Sequence, residues 1–259
     1  TTHGRHEPGM FSWADLGTTD PVAAQKFYAA LFAWETVDVP IGGGDVYSMC
    51  KLGDRDVAAI AGLTETQKKL GAPPHWTCYF TVTDADAAAK KAEAAGAKVV
   101  APPFDVMDAG RMAAVDDPTG AGVVLWQPKK HIGAGVTSVH GALTWCELLT
   151  RDAPTAKRVW SGVFGWTTEA VTMPNGVEYT VFKVGDAPSC GMMPMPSRAP
   201  AAVPSHWLPY FQVDDCDALV ARATAAGGGA VAPAMTSDVG RFATLVDPAG
   251  ALFGILQPP

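Results

Sequence analysis

Long apolar runs are missing from this sequence. No stretch approaches the roughly 18 uninterrupted apolar residues of a membrane-spanning helix, so no membrane partner is expected. No CxxC pair occurs, which argues against a zinc ribbon. The five cysteines (Cys50, Cys78, Cys146, Cys190, Cys216) are odd in number and scattered, which argues against a disulfide framework. Each reads as a small buried hydrophobe. Positive charge is scarce as well. The formal net charge is −7, so no nucleic-acid partner is expected. Only 17% of residues are charged while 48% are hydrophobic, a balance that excludes global disorder. The opening Thr1-Thr2-His3-Gly4 lacks the basic and apolar regions of a signal peptide, so a cytoplasmic location is the default expectation.

What the sequence does contain is a duplication. Trp13-Ala14-Asp15-Leu16 returns as Trp145-Cys146-Glu147-Leu148, and Asp20 to Trp34 returns as Asp152 to Trp166. Tyr47 matches Tyr179, His75-Trp76 matches His206-Trp207, and Tyr79-Phe80 matches Tyr210-Phe211. Gly110-Arg111 and Asp117-Pro118 return as Gly240-Arg241 and Asp247-Pro248. Two homologous domains are expected over residues 8–129 and 137–259, joined by a linker around His131–Gly135.

Each half divides again. Phe11 to Leu16 alternates in the manner of a strand. Asp20 caps a helix with Pro21 in its first turn. Ala23, Phe27, Ala30, Leu31 and Trp34 are expected on its buried face. Short strands follow near Val46–Lys51 and Val57–Ala61. The pattern restarts with a strand over Trp76–Val82, then an Ala-rich helix capped by Asp84 and ended by Gly96. Strands near Lys98–Ala101, Arg111–Val115 and Gly122–Gln127 complete it, and the second half repeats the order from its own cap, Asp215, to its stop, Gly227. The expected class is α+β: four βαβββ modules, with mostly antiparallel sheets carrying helices on one face. Two plain ferredoxin-like units would give the same element order.

The four-fold βαβββ plan, the helix ending Phe27-Tyr28-x-x-Leu31-Phe32-x-Trp34, and the turns Asp117-Pro118-Thr119-Gly120 and Asp247-Pro248-Ala249-Gly250 resemble the vicinal oxygen chelate superfamily. That superfamily includes glyoxalase I, bleomycin-resistance proteins and extradiol dioxygenases. The patterns Trp-x-[Asp/Glu]-Leu, His-Trp-x-x-Tyr-Phe and Gly-Arg-[Met/Phe] are similar to an actinobacterial two-domain subgroup labelled glyoxalase-like, antigen or hydroxylase. Some of that subgroup accompany polyketide-antibiotic genes. The resemblance implies two tandem domains with U-shaped sheets. In the superfamily's enzymes a divalent metal is held there by His, Glu or Gln from the first and last strands of a module.

Carried onto this sequence, those ligand positions fall on Trp13, Trp145, Thr77, Leu208, Val124 and Gly254, and on the acid-free run Val57–Ala61. Most of each ligand set is missing, so no metal and no other cofactor is expected. Polar groups remain beside these positions. Asp15 and Glu147 share a strand face with Trp13 and Trp145. His75 and His206 share a face with Thr77 and Leu208. These four are the candidate catalytic residues, as acid–base pairs Asp15/His75 and Glu147/His206. The plainer expectation for each histidine is a bond to a backbone carbonyl at its strand start. Arg111 and Arg241 read either as clamps to Asp108 and Asp238 or as contacts at a cleft mouth. The expected ligand-binding set also includes Trp13, Tyr47, Thr77, Tyr79, Trp145, Tyr179 and Tyr210. Met192 and Met193, in a Met-rich loop, would add adaptable surface. His3 and His6 are placed in a frayed N-terminus and His131 in the linker.

Three functions follow. The first is a metal-independent protein that binds a small aromatic, polyketide-like ligand for sequestration, resistance or biosynthesis support. The second is an accessory hydroxylase, isomerase, cyclase or lyase that uses acid–base residues or a non-standard metal site. The third, against which the ligand count speaks, is an ordinary metal-dependent glyoxalase or dioxygenase. The chain is expected as a monomer with an internal pseudo-dimer or as a homodimer.

Overall fold

The structure is a computed structural model that describes residues 1–173 and 176–259. The first half runs β1 (Phe11–Thr18), α1 (Pro21–Phe32), β2 (Glu35–Gly42), β3 (Asp45–Leu52), β4 (Arg55–Gly62) and a short α2 (Glu65–Lys69). It continues as β5 (His75–Thr81), α3 (Ala85–Ala95), β6 (Lys98–Val106), β7 (Gly110–Asp116) and β8 (Gly122–Pro128). The second half repeats this as β9 (Leu143–Thr150), α4 (Ala153–Phe164), β10 (Thr167–Thr172), β11 (Glu178–Val184) and β12 (Ala187–Pro194). Its last module is β13 (His206–Gln212), α5 (Cys216–Ala225), β14 (Gly229–Ala230), β15 (Met235–Ser237), β16 (Gly240–Val246) and β17 (Leu252–Gln257).

The four main helices start where the sequence places them. Asp20, Asp84, Asp152 and Asp215 each cap with a carboxylate oxygen that accepts from the backbone N–H three residues on. The buried face of α1 differs from expectation by a small rotation. Ala24, Phe27, Tyr28, Leu31 and Phe32 are buried, while Ala23 and Ala30 are exposed. The cause is that α1 packs on two surfaces, its own sheet and α5 of the other half, which turns its buried stripe.

Each half forms one sheet, in the orders β2-β3-β4-β1-β5-β8-β7-β6 and β10-β11-β12-β9-β13-β17-β16-β14. The two modules of a half therefore meet at the antiparallel pairs β1–β5 and β9–β13. The sheets are mixed rather than antiparallel, because the first strand of each module lies parallel to a last strand: β1 to β4, β9 to β12, β5 to β8 and β13 to β17. A βαβββ chain returns its last strand beside its first after crossing over the helix, which fixes that direction.

The helix-bearing faces of the two sheets pack against each other. One core joins Phe27, Tyr28 and Phe32 of α1 to Phe211, Leu219 and Phe253 of the second half. The other joins Phe80 and the alanines of α3 to Val159, Trp160 and Trp207. Reciprocal hydrogen bonds cross the seam. Tyr28 donates to Asp247 at 3.1 Å, and Trp160 donates to Asp117 at 2.9 Å. Trp34 Nε1 donates to Gly141 O at 2.7 Å, and Trp166 Nε1 to Gly9 O at 2.8 Å. The aspartates of the two Asp-Pro-x-Gly turns, 4% and 3% exposed, thus hold the halves together.

The N-terminal segment is tied down rather than frayed. Thr2 bridges Val136, and His3 N donates to Gly135 O. His6 Nε2 bonds Ala134 O at 2.8 Å. All five cysteines are free and buried. No helix among the described residues is long and apolar enough to cross a membrane.

Candidate functional site

The sheet faces turned away from the helices carry two matching clusters. Along β1, Ala14 and Leu16 enter the core between the halves, so Trp13 and Asp15 point the other way. Register places Trp13 opposite Tyr79 and Asp15 opposite Thr77 on β5. Tyr79 donates to Asp15 Oδ2 at 2.6 Å, and Tyr47 on β3 donates to the same oxygen at 3.0 Å. Trp13 Nε1 donates to the Tyr47 oxygen at 3.0 Å. Tyr47 can lean this far because β4, which separates it from β1, places the small Ala59 opposite Asp15 and the small Ala61 opposite Tyr47. The second half repeats the chain. Trp145 Nε1 donates to Tyr179 at 2.8 Å, and Tyr210 donates to Glu147 Oε2 at 3.1 Å. The Tyr179 hydroxyl also acts on Glu147, pulling its carboxyl pKa down. Here the small residue is Gly191, paired with Glu147, and a Cβ on it would collide with the Tyr179 ring.

Burial governs the charge state of these groups. It pushes the Asp15 and Glu147 carboxyls above the usual carboxylate range, although the tyrosine hydroxyls pull both back. Burial also holds the Tyr47, Tyr79, Tyr179 and Tyr210 phenols well above their usual range, with the neighbouring carboxylates adding to it. The tyrosines are therefore neutral donors. Asp15 Oδ1 takes no bond among the described residues, which leaves an acceptor in the first cleft.

The expected catalytic pairs do not assemble as hydrogen-bonded pairs. His75 Nδ1 bonds Pro73 O at 2.8 Å, and His206 Nδ1 bonds Pro204 O at 2.9 Å. Among the described residues no hydrogen bond joins His75 to Asp15 or His206 to Glu147. Both histidines stay on the cleft face, and burial lowers the His206 pKa below its usual value. Thr77 and Met193 face the clefts. Met192 does not: it is 1% exposed in the core between the halves, because it alternates with Gly191 and Met193 along β12.

Arg111 and Arg241 also lie elsewhere. Arg111 grips both carboxylate oxygens of Asp86 on α3, and Arg241 grips those of Asp217 on α5, so each sits on the helix face of its sheet. The clamp partners are these helix aspartates and not Asp108 and Asp238. Asp108 pairs with Lys130 instead. A cavity of about 160 Å³ lined by Gly9, Thr83, Lys91 and Phe164 lies at the seam, away from both clusters.

Sequence reasoning missed His131. Its ring stands edge-on to Trp13 at 4.5 Å, and its carbonyl accepts from Trp126 Nε1 at 2.9 Å. The available signal was Gly133. Its φ is +100°, and a Cβ there would lie 2.5 Å from Ser12 O, so only glycine lets the linker press onto β1.

The residues at the ligand positions implied by the family resemblance do not fit a metal. Trp13, Val124, Trp145, Leu208 and Gly254 offer no donor. The space beside Gly254 is filled by the Tyr210 ring. Among the described residues no three His, Cys, Asp or Glu side chains are grouped to hold an ion.

Four βαβββ modules forming two mixed sheets, each with a carboxylate–tyrosine–tryptophan cluster on its outer face, define a tandem glyoxalase-like protein. Residues 11–125 match the Glyoxalase/Bleomycin resistance protein/Dioxygenase superfamily, and residues 145–256 match the Glyoxalase-like domain. The chain belongs to this superfamily. It is 46% identical to the protein named "Putative glyoxylase CFP32" of Mycobacterium tuberculosis over 257 residues, covering 98% of this chain and 96% of that one. It is 36% identical to "Anthracycline biosynthesis protein DnrV" of Streptomyces peucetius over 265 residues, covering 98% and 94%. Among solved structures, the Mn(II)-bound glyoxalase from Novosphingobium aromaticivorans shares the fold. The TM-score is 0.65 at 14% identity, covering 96% of this chain and 82% of that one.

Proposed function

We propose that this chain binds small planar aromatic molecules on its outer sheet faces without using a divalent metal, for sequestration, resistance or support of biosynthesis. One observation carries the reading. Asp15 is held by two tyrosine hydroxyls and Glu147 accepts from Tyr210 with Tyr179 acting on it, while indole and aliphatic side chains occupy positions implied for metal ligands. Such a site offers flat apolar area with a few fixed polar atoms, which suits a ring system bearing hydroxyl or carbonyl groups. The printed name of the Streptomyces peucetius relative, an anthracycline biosynthesis protein, supports an aromatic polyketide as the ligand class.

A second reading has its own support. Burial raises the pKa of both carboxyls and so makes each a better match for proton donation, which would let Asp15 or Glu147 serve as general acid of an accessory enzyme. The absence of a hydrogen-bonded histidine beside either one weighs toward binding.

Equilibrium dialysis against a panel of hydroxylated anthraquinones, followed by mass analysis of the recovered compound, tests both. The binding reading expects retention with unchanged compound mass. It also expects weaker retention by Asp15→Asn or Glu147→Gln, by roughly tenfold for loss of one hydrogen bond to the carboxyl group. A changed compound mass would move the assignment to the enzyme. No retention of any aryl compound would overturn the binding function.

A further inference from the structure

The two clefts are not equivalent, and the difference points to a ring site. In the first, Trp13 is 1% exposed and Trp126 is 4% exposed. What covers them is His131, whose ring lies 4.5 Å from Trp13 and 5.9 Å from Trp126, edge-on to the first and steeply tilted to the second. The placement is specified by the chain. Gly133 allows the linker against β1, Ala134 N donates to Ser12 O, Gly135 N donates to Asp56 O, and Trp126 holds the His131 carbonyl. The His131 Nε2 is sealed from solvent with no hydrogen-bond partner. The seat therefore receives a ring through its edge and faces, not through polar bonds. The two rings meet edge to face, the arrangement that sets the positive rim of one ring against the negative face of the other.

In the second cleft the corresponding residues are Trp145 and Leu256, and both are partly exposed. Trp145 has no ring neighbour among the described residues. Its Nε1 is already fixed by Tyr179, so the indole is held in place while staying partly exposed.

We propose that Trp145 in the second half is the aromatic docking site, and that a ligand ring takes there the place that His131 takes against Trp13. The first cleft is closed to that ring by its own linker and offers only the free Asp15 oxygen. The ligand class is a planar, electron-poor aryl or quinone ring, whose rim suits the indole face. This assignment rests on the binding function proposed above and narrows it to one half.

Calorimetric titration with a dihydroxyanthraquinone tests it, using the intact chain, Trp145→Ala and His131→Ala, each verified as folded by circular dichroism. The intact chain is expected to bind one molecule. Trp145→Ala is expected to lose roughly tenfold or more in affinity. His131→Ala is expected to uncover a second site and raise the stoichiometry to two. On the intact chain, N-bromosuccinimide oxidation mapped by peptide mass is expected to modify Trp145 and spare Trp13, and the anthraquinone is expected to protect Trp145. That readout holds even where a variant fails to fold. Binding by Trp145→Ala equal to the intact chain, or no protection of Trp145, would overturn the site while leaving the binding function standing. No binding by the intact chain would overturn the binding function itself.

Discussion

Asp15 and Glu147 are the matching buried carboxyls of the two clefts. Their persistence at matching positions in an apolar strand marks them in the sequence, and a buried carboxylate is costly unless partnered. The partners, Tyr47 with Tyr79 and Tyr179 with Tyr210, were legible as cleft-strand aromatics. The shared acceptance was not, because it depends on small residues between the strands, Ala59 and Gly191, whose role is to be absent. The pH consequence follows from the raised carboxyls. Where the folded pKa exceeds the unfolded one, the native state binds more protons between the two values, so stability falls as pH rises through that window. Below the usual carboxylate range the contribution is neutral, and above the shifted value the loss is complete. Asn and Gln keep an oxygen that accepts from tyrosine without ionising. Asp15→Asn and Glu147→Gln are therefore expected to remove part of that fall and to equal or exceed the parent in melting temperature at neutral pH. Calorimetric melting between pH 4 and 8 measures it. Steeper loss in the variants would contradict the assigned shift.

At the level of elements, caps and turns were readable and edges were not. The aspartate caps and the Asp-Pro-x-Gly turns stand where their residues demand. Strand β2 carries almost no buried residue, so it lacks the apolar alternation that betrays a strand and is held by backbone pairing with β3. The turn aspartates do more than turn. Asp117 Oδ1 accepts from Thr119 N, Thr119 Oγ1 and Ala121 N, while Oδ2 accepts the buried Trp160 Nε1 of the other half. Asp117→Ala leaves that indole N–H without a partner and loosens the turn, at a cost of about 3 kcal/mol. Chemical denaturation is expected to show it as a lower midpoint. A change within experimental error would mean the seam does not depend on this bond.

For the whole molecule, the duplication and the module plan come straight from the repeat. The pairing of modules does not, since a 3.6-residue stripe says that a helix is buried without saying against what. Here β1 meets β5 and β9 meets β13 in the sheets, whereas the helices meet across the halves, α1 with α5 and α3 with α4. That arrangement turns both carboxylate clusters outward and puts Met192, Trp160 and Tyr28 into shared cores. The same placement explains why Arg111 and Arg241, read either as clamps or as cleft-mouth contacts, serve as clamps on the helix side.

The central claim is that the chain holds an aromatic molecule in a cleft without a divalent ion. Native mass spectrometry of the intact chain, with and without added Mn(II), Ni(II), Fe(II) and Zn(II), tests it most directly. The account predicts no metal adduct that survives dilution, and a one-to-one adduct with a hydroxylated anthraquinone whether or not metal is present. A metal adduct retained at one per half, or aryl binding that requires the ion, would contradict it.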